Sequence, residues 1–364
     1  MNLNEPTSSG HHIIIRIDEP SLSTETRDFL HSVRPVGVHF GKNAFLAEEP
    51  YPVWLKQLTF LRAEILKATG HEKMIWALDH EGGRVIRTPL PITRFPYALN
   101  WRDLSEAVGS AMAEELRSLG INLSFAPCLD IFSNPNNTVI GPRSFGSTIE
   151  EVSQRGKNFI LALERGGVIA TAKHFPGHGD TIEDSHFELP SLSLTVEDLL
   201  EREIIPFLPS TGIELKVIML AHILFPALDE DYPASLSYTL AHDLLRDRLG
   251  YTGIVITDDL DMKAISGRFS PAEIAHQLIR SKVNFALFNH SLTHAADVAS
   301  DMDLLLQDSQ GDGSRITEHN RQFIQQLPDN GVTPLSEETF SKHAQLAKQI
   351  GEQFSVTIKE FTGA

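Results

Sequence analysis

The sequence has 364 residues, of which 41% are hydrophobic and 22% are charged, a composition typical of a folded globular protein. Its formal charge of −17, without any lysine- or arginine-rich run, argues against binding to nucleic acid or to an anionic membrane surface. The single cysteine, Cys128, excludes an intrachain disulfide, and the first residues lack a signal-peptide pattern, so we expect a cytoplasmic protein.

Apolar, β-branched segments of strand length alternate with amphipathic segments of helix length along the chain. The predicted strands are His12–Ile17, Gly37–Phe40, Met74–Leu78, Asn122–Ala126, Val168–Ala172, Val217–Ala221, Ile254–Thr257 and Phe285–Phe288. Hydrophobic strands separated by helices are typical of a parallel sheet covered by helices. We therefore predict an α/β fold, a single (β/α)8 TIM-type barrel, with a doubly wound open sheet as the alternative.

The same pattern predicts how the chain is divided. Residues 1–11 are expected to form a flexible tail, 12–310 the barrel, and 311–364 C-terminal helices packed on the barrel. Pairs such as Thr148 with Glu151 and Thr195 with Asp198 resemble capping boxes, and Ser270 precedes a proline at a first helical position. The apolar stripe of the helix after Thr148 is expected to be core; it contains Val152, Gly156, Phe159, Ile160 and Leu163.

Several predicted strands end in charged or imidazole side chains. These ends carry Asp79-His80-Glu81, Lys173-His174, His222 and Asp258-Asp259. One such end can simply mark where a strand meets water. Several of them on one rim indicate a functional site, because barrel enzymes place their chemistry at the C-terminal ends of the strands.

The most informative segment runs from Lys173 to His186. Its Pro and Gly residues permit tight backbone turns, and it places Asp184 two residues before His186. A carboxylate near an imidazole can orient it and keep it protonated, which makes the ring a usable proton donor. Two alternatives are a polar surface loop with scattered histidines and a metal site.

The metal alternative draws its ligands from His174, His178, Asp180 and His186. Lys173 beside the proposed cation argues against it, as does the absence of a helical His-x-x-x-His pattern. We expect neither a metal nor an organic cofactor.

Three further segments supply candidate residues. Asp258, at the end of a buried strand, would be held rigidly enough to act as a nucleophile, although one of the two adjacent aspartates could instead cap a helix. Asp79 and Arg87 flank a Gly-Gly pair whose backbone can come close to a ligand, so both could bind hydroxyl groups. Arg143, after the fourth strand, is a fourth candidate.

These motifs resemble those of a known enzyme family. Asp-x-Glu-Gly-Gly-Arg-Val, Arg-Ser-Phe-Gly, Lys-His-Phe-Pro-Gly-His-Gly-x-Thr-x-x-Asp-Ser-His and Asp-Asp-Leu-x-Met occur in the order found in glycoside hydrolase family 3. They are most similar to its NagZ-type β-N-acetylglucosaminidases of peptidoglycan recycling, over residues 35–265. The resemblance implies that Asp258 is the nucleophile, His186 the acid/base and Asp184 its partner. The expected sugar-binding residues are Asp79, Arg87, Arg143, Lys173, His174, His222 and Met262.

The function implied is a retaining, exo-acting hydrolase of terminal β-linked N-acetylglucosamine, working by double displacement as a cytoplasmic monomer. A phosphorylase is an alternative, because a histidine repels phosphate less than a carboxylate does. A metal-dependent hydrolase and a catalytically silent sugar-binding protein are two others.

Two segments depart from the family pattern. The region of the eighth strand, residues 281–290, lacks the usual Ala-Gly-x-Asp, and strand two reads Gly-Val-His-Phe-Gly where an apolar segment is usual. We expect both departures to affect barrel packing or the side of the site that holds the leaving group.

Overall fold

Eight parallel strands close into a barrel, which confirms the predicted fold and excludes the open sheet. The structure is a computed structural model that describes residues 9–181, 189–208, 211–307 and 311–353. The barrel strands are β1 Ile13–Ile17, β2 Gly37–Phe40, β3 Ile75–Leu78, β6 Leu123–Ser124, β7 Ile169–Phe175, β8 Val217–Leu220, β9 Ile254–Asp259 and β10 Phe285–Phe288. A hairpin not predicted from the sequence, β4 His80–Gly82 with β5 Val85–Ile86, follows β3.

Helices surround the barrel and follow it at the C-terminal end. They are α1 Thr24–Val33, α2 Tyr51–Thr69, α3 Ser105–Ser118, α4 Ile149–Arg165, α5 Val196–Asp198, α6 Lys263–Ser266, α7 Pro271–Arg280, α8 Leu292–Leu306, α9 Asp312–Gln326 and α10 Glu337–Gln353. Two π-helical segments, Leu199–Glu203 and Thr239–Arg248, occupy the positions of helices before β8 and β9. Among the described residues, no helix is both long and apolar enough to cross a bilayer.

The predicted helix starts are stabilised by local hydrogen bonds between the capping side chain and the first turn of the helix. Both halves of the capping box are present at Thr195 and at Ser270. At Thr148 only one half forms, because the Glu151 carboxylate accepts from the backbone N–H of Ser147 instead. The apolar stripe of α4 is buried as predicted.

Two large apolar clusters make up most of the core, beside a small one of Cys128, Val139 and Ile140. The larger one lies between the strands and the surrounding helices. The second fills the barrel interior with residues that alternate along the strands: Ile14, Ile75, Ala77, Leu123, Phe125, Ile169, Val217, Met219, Ile254, Ile256, Phe285 and Leu287. Because the interior is packed with apolar side chains, the charged side chains at the strand ends meet at the C-terminal rim of the barrel.

Residues 9–11, which the sequence pattern assigns to the end of the N-terminal tail, belong to the folded body. Ser9–His12 form a buried 3₁₀ turn whose end is held by α9. The Asn320 amide donates to the backbone oxygen of His11 at 2.9 Å, and His12 Nε2 lies 2.8 Å from Thr317 Oγ1. The folded body therefore begins no later than residue 9, because α9 supplies partners for this segment that the sequence pattern alone does not reveal.

Candidate active site

The structure brings four charged side chains together on the C-terminal rim. The Lys173 ammonium, at the end of β7, lies 2.6 Å from Glu81 Oε1 and 3.1 Å from Asp79 Oδ1. Arg143 Nε and Nη2 donate to the two oxygens of Glu81, both at 2.8 Å. Asp79, Lys173 and Arg143 were predicted to lie in the site, whereas Glu81, which pairs with both Lys173 and Arg143, was not named as a candidate.

The charges in this network keep one another ionised. Burial acts to raise the pKa of Glu81, but Arg143 and Lys173 outweigh it and lower that pKa to about 2. Burial acts to lower the pKa of Lys173, and the adjacent Glu81 and Asp79 raise it overall. The rim therefore presents a fixed cation and fixed carboxylates to any ligand.

Asp79 is the member of this network that is most open to solvent. Its side chain is 19% exposed, compared with 3% for Glu81. Burial acts to raise the pKa of Asp79, but Lys173, His39 and Arg87 hold it well below its ordinary value. An ionised, partly exposed carboxylate is suited to accept hydrogen bonds from sugar hydroxyls.

Asp130 holds His174 in position. Its Oδ2 lies 2.6 Å from His174 Nδ1 and accepts from the Cys128 thiol, while its Oδ1 accepts from the backbone N–H of His178 at 2.7 Å. Burial opposes ionisation of Asp130, but His174 holds its pKa well below the ordinary value. This aspartate is absent from the predicted set, and its position shortly after the fourth strand is the only sequence signal that could have indicated it.

The ligand atoms of Cys128, Asp130 and His174 lie within 4.8 Å of one another, close enough to hold a metal ion. The chemistry of this donor set does not favour a metal. Burial, and then the Asp130 carboxylate, raise the pKa of the Cys128 thiol well above its ordinary value. A protonated thiol is a poor ligand, and Asp130 already accepts from several donors.

His178 and Asp180, two of the metal ligands considered from the sequence, have other partners. His178 Nδ1 lies 2.7 Å from Thr181 Oγ1, and Asp180 forms an ion pair with Arg202. The Asn137 amide donates to the backbone oxygens of His178 and Gly179 at 2.7 and 3.0 Å. The first part of the histidine loop is thus anchored to the segment after β6. Asp184 and His186 lie outside the described residues.

The two aspartates at the end of β9 have different environments. Asp259 Oδ1 accepts from the backbone N–H groups of Asp261 and Asn289 at 3.0 and 3.1 Å. Burial, followed by the charge of Asp261, raises the pKa of Asp259 to about 8. Asp259 therefore braces the loops after β9 and β10 and is protonated at neutral pH.

Asp258 is ionised and partly exposed at the rim. Burial acts to raise the pKa of Asp258, but His174 and His222 lower it overall. An ionised carboxylate on a strand end is the form that a nucleophile requires. The contrast with Asp259 identifies Asp258 as the better candidate of the two.

His222 and Met262 support the end of β9. His222 is fully buried, with Nε2 2.8 Å from the Asp259 backbone oxygen and Nδ1 2.7 Å from Ser235 Oγ. Both ring nitrogens thus face protein atoms. Met262 is buried and its N–H donates to the same backbone oxygen. The geometry gives these two predicted binding residues a role in holding the strand end.

Comparison with known proteins agrees with this geometry. The Glycosyl hydrolase family 3 N terminal domain matches residues 55–313. A Beta-hexosaminidase from Methylococcus capsulatus is 34% identical over 266 residues, which are 70% of this chain and 76% of the relative. A Beta-hexosaminidase A from Pseudoalteromonas piscicida is 37% identical over 61% of this chain, but the chain spans only 41% of that protein.

Solved structures give the same result. A glycoside hydrolase family 3 beta-N-acetylglucosaminidase from Paenibacillus sp. str. FPU-7 superposes with a TM-score of 0.84 at 30% identity, over 96% of this chain and 68% of the other. NagZ from Neisseria gonorrhoeae, in complex with N-trifluoroacetyl-D-glucosamine, gives a TM-score of 0.73 at 26% identity, over 93% and 97%. The motifs, the closed barrel and these matches together mean that the chain belongs to glycoside hydrolase family 3.

Proposed function

We propose that the protein is a retaining, exo-acting β-N-acetylglucosaminidase that hydrolyses terminal β-linked N-acetylglucosamine. The observation that carries the proposal is the ionised Asp258 on the same rim as the Asp79–Lys173 pair. Such a rim offers a nucleophile and hydroxyl-binding charges side by side. The names of the relatives support the choice of sugar.

In the proposed first step, an Asp258 carboxylate oxygen attacks the anomeric carbon while the bond to the leaving oxygen breaks. The electron pair goes to that oxygen, and His186 transfers its proton to it. In the second step, His186 removes a proton from water, whose oxygen attacks the anomeric carbon and releases Asp258. Asp184 would keep the imidazole oriented and stabilise its charged form.

The sugar would be held by the remaining predicted residues. Asp79 and Arg87 are suited to accept from and donate to hydroxyl groups, and His174 is oriented for such a contact by Asp130. Arg143 has Nε and Nη2 on Glu81 and Nη1 on the Val139 backbone oxygen. We therefore assign it mainly to positioning Glu81 and Lys173.

The proposal is tested by trapping the covalent intermediate. A slowly hydrolysed 2- or 5-fluoro sugar should label Asp258 in the wild type, with the site located by peptide fragmentation. Asp258→Asn should fold and lose at least several orders of magnitude in turnover, because the covalent route is gone. Asp259→Asn is the matched control and should be labelled at Asp258. A label on Asp259 would overturn the assignment.

The finer expectations concern the natural substrate and its setting. We propose peptidoglycan-derived muropeptides as substrates and a cytoplasmic monomer as the active form, on the basis of the family resemblance alone. Turnover of purified muropeptides, cell fractionation and sedimentation measurements test these three points separately.

A further inference from the structure

The two departures from the family pattern meet at one point of the rim. His39, in β2, and Asn289, directly after β10, are 250 positions apart in the chain. Their side chains are in contact, with His39 Nδ1 2.9 Å from Asn289 Oδ1. The other ring nitrogen of His39, Nε2, lies 3.4 Å from Asp79 Oδ2. The three side chains thus form a chain of polar contacts that ends on the exposed carboxylate.

His39 lies among apolar neighbours. Its side chain is only 3% exposed, and its ring packs edge-on against Phe125 of the barrel interior at 5.1 Å. A buried polar ring is costly unless its nitrogens are paired. The hydrogen bond to Asn289 and the packing against Phe125 therefore fix the orientation of the ring.

The directions of these contacts follow from the donor and acceptor chemistry. An amide oxygen can only accept, so His39 Nδ1 donates to Asn289. Nε2 of the same ring faces Asp79 Oδ2 at 3.4 Å as a polar contact, without the alignment of a hydrogen bond. Lys173 holds the other carboxylate oxygen, Oδ1, at 3.1 Å. Lys173 thus holds one oxygen of the carboxylate and the buried His39 ring stands against the other, which restricts how the Asp79 carboxylate can turn.

Asn289 also connects this chain of contacts to the strand that carries the nucleophile. Its side chain contacts His39, while its backbone N–H donates to Asp259 Oδ1 at 3.1 Å. Asn289 thus contacts both His39, which faces Asp79, and the strand end that carries Asp258. Such coupling matters because small misplacements of a bound substrate reduce the rate steeply.

We propose that His39, held by Asn289, is a positioning residue that sets the selectivity of Asp79 for one non-anomeric hydroxyl of the terminal sugar. The inference rests on the proposed function, in which Asp79 binds that hydroxyl. A carboxylate held in one orientation accepts a hydrogen bond from a hydroxyl at one place. A substrate that lacks this hydroxyl leaves the carboxylate without its partner. A carboxylate free to turn discriminates less.

The test combines variants with altered substrates. The substrates are 4-nitrophenyl N-acetyl-β-glucosaminide and its 3-, 4- and 6-deoxy forms. For the wild type, one deoxy form should lose about 10- to 100-fold in kcat/KM, the range expected for a hydrogen bond to a charged group. Asp79→Asn should reduce that loss, which identifies the hydroxyl that Asp79 binds.

His39→Leu keeps the volume but removes both contacts, and it should shrink the loss for that same deoxy form to a few-fold. His39→Gln should restore much of the selectivity, because the Gln amide keeps a polar group between Asn289 and Asp79. Asn289→Ala should give an intermediate loss of selectivity that is not additive with His39→Leu. His31→Gln, on the exposed face of α1, is the surface control and should match the wild type.

The inference is overturned if His39→Leu slows all four substrates equally, or if His39→Gln is no better than His39→Leu. Thermal unfolding midpoints show whether each variant folds. If His39→Leu does not fold, the selectivities of Asn289→Ala and His39→Gln test the inference in its place. Failure of the proposed function is a separate outcome, seen as a wild-type protein that does not cleave the parent substrate. An Asp79→Asn variant with unchanged selectivity would instead refute the role of Asp79.

Discussion

Arg143 and Glu81 are joined by two parallel hydrogen bonds of 2.8 Å across 62 positions of sequence. Their side chains are 12% and 3% exposed. This fork-to-fork contact is the strongest form of pairing between a guanidinium and a carboxylate. It also holds Glu81 against Lys173, so the geometry of the rim depends on it.

We expect Glu81→Gln to lower the free energy of unfolding by about 3–5 kcal/mol. The substitution removes the negative charge that pairs with the cations of Lys173 and Arg143. Urea denaturation measures the difference. The control is Glu106→Gln, which breaks the exposed ion pair with Arg165 and should cost less than about 1 kcal/mol. Equal effects of the two substitutions would contradict the structural role given to Glu81.

Glu203 makes stability depend on pH. Burial raises the pKa of Glu203 from 4.5 to about 7, against the opposing effect of Arg202. Because the folded-state pKa is the higher one, protonation of Glu203 favours the folded state. This stabilisation is fully present below about pH 4.5 and is lost as the pH rises through about 7. Glu203→Gln lacks this loss, so its advantage over the wild type should grow across that interval by on the order of 3 kcal/mol.

Chemical denaturation at several pH values measures the Glu203 effect. Glu197→Gln, exposed on α5, is the control and should follow the wild type throughout. A Glu203→Gln advantage that is constant with pH would show that the carboxyl does not titrate in this interval.

Gly179 allows the histidine loop to approach the segment after β6. A Cβ placed there would lie 1.7 Å from the Ile131 backbone oxygen, so one of the two backbones would have to move. We expect Gly179→Ala to lower kcat/KM by at least about 100-fold, since displacement of the loop misplaces its functional groups. Gly331→Ala, where an added Cβ meets nothing within 4 Å, should behave as the wild type. An active Gly179→Ala enzyme would mean that loop position is not critical.

Activity should survive dialysis against a strong chelator. The proposed chemistry uses side chains, and the pKa of Cys128 is raised well above its ordinary value, which disfavours a thiolate ligand. Cys128→Val should likewise remain active. Loss of activity on chelation, restored by zinc in the wild type and not in Cys128→Val, would establish the metal-dependent alternative.

The N-acetyl-β-glucosaminide should be cleaved in strong preference to the β-glucoside, because a site that pairs with an amide is left with unpaired polar groups by a substrate without one. Nitrophenol release from both substrates, with and without added phosphate, tests this. Phosphate should leave the rate and the product unchanged. Formation of a sugar 1-phosphate would establish the phosphorylase alternative, and similar rates on both substrates would contradict the proposed sugar.

The sequence predicted the elements that depend on local patterns. All eight barrel strands lie within the predicted segments or within a few residues of them, because a buried parallel strand is continuously apolar. The caps at Thr195 and Ser270 form as predicted because they depend on residues three positions apart. The rim position of Asp79, Lys173 and Asp258 followed from their places at strand ends.

Contacts between distant residues could not be read in the same way. Glu81, Asp130 and Asn289 act on partners 62, 44 and 250 positions away, and no local pattern fixes such distances. The hairpin after β3 was missed because its strands are only three and two residues long. His39 and Asn289 were noticed only as departures from the family, without any indication that they touch.

Closure of the barrel has a consequence for synthesis on the ribosome. The first strand, β1, pairs with β10, and the turn before it is held by Thr317 and Asn320 of α9. A nascent chain released as far as β9 would therefore be an open sheet with two unpaired edges, β1 and β9. Exposed strand edges invite pairing with other chains. Both edges would thus stay open to wrong pairing until the segment from β10 to α9 has left the exit tunnel.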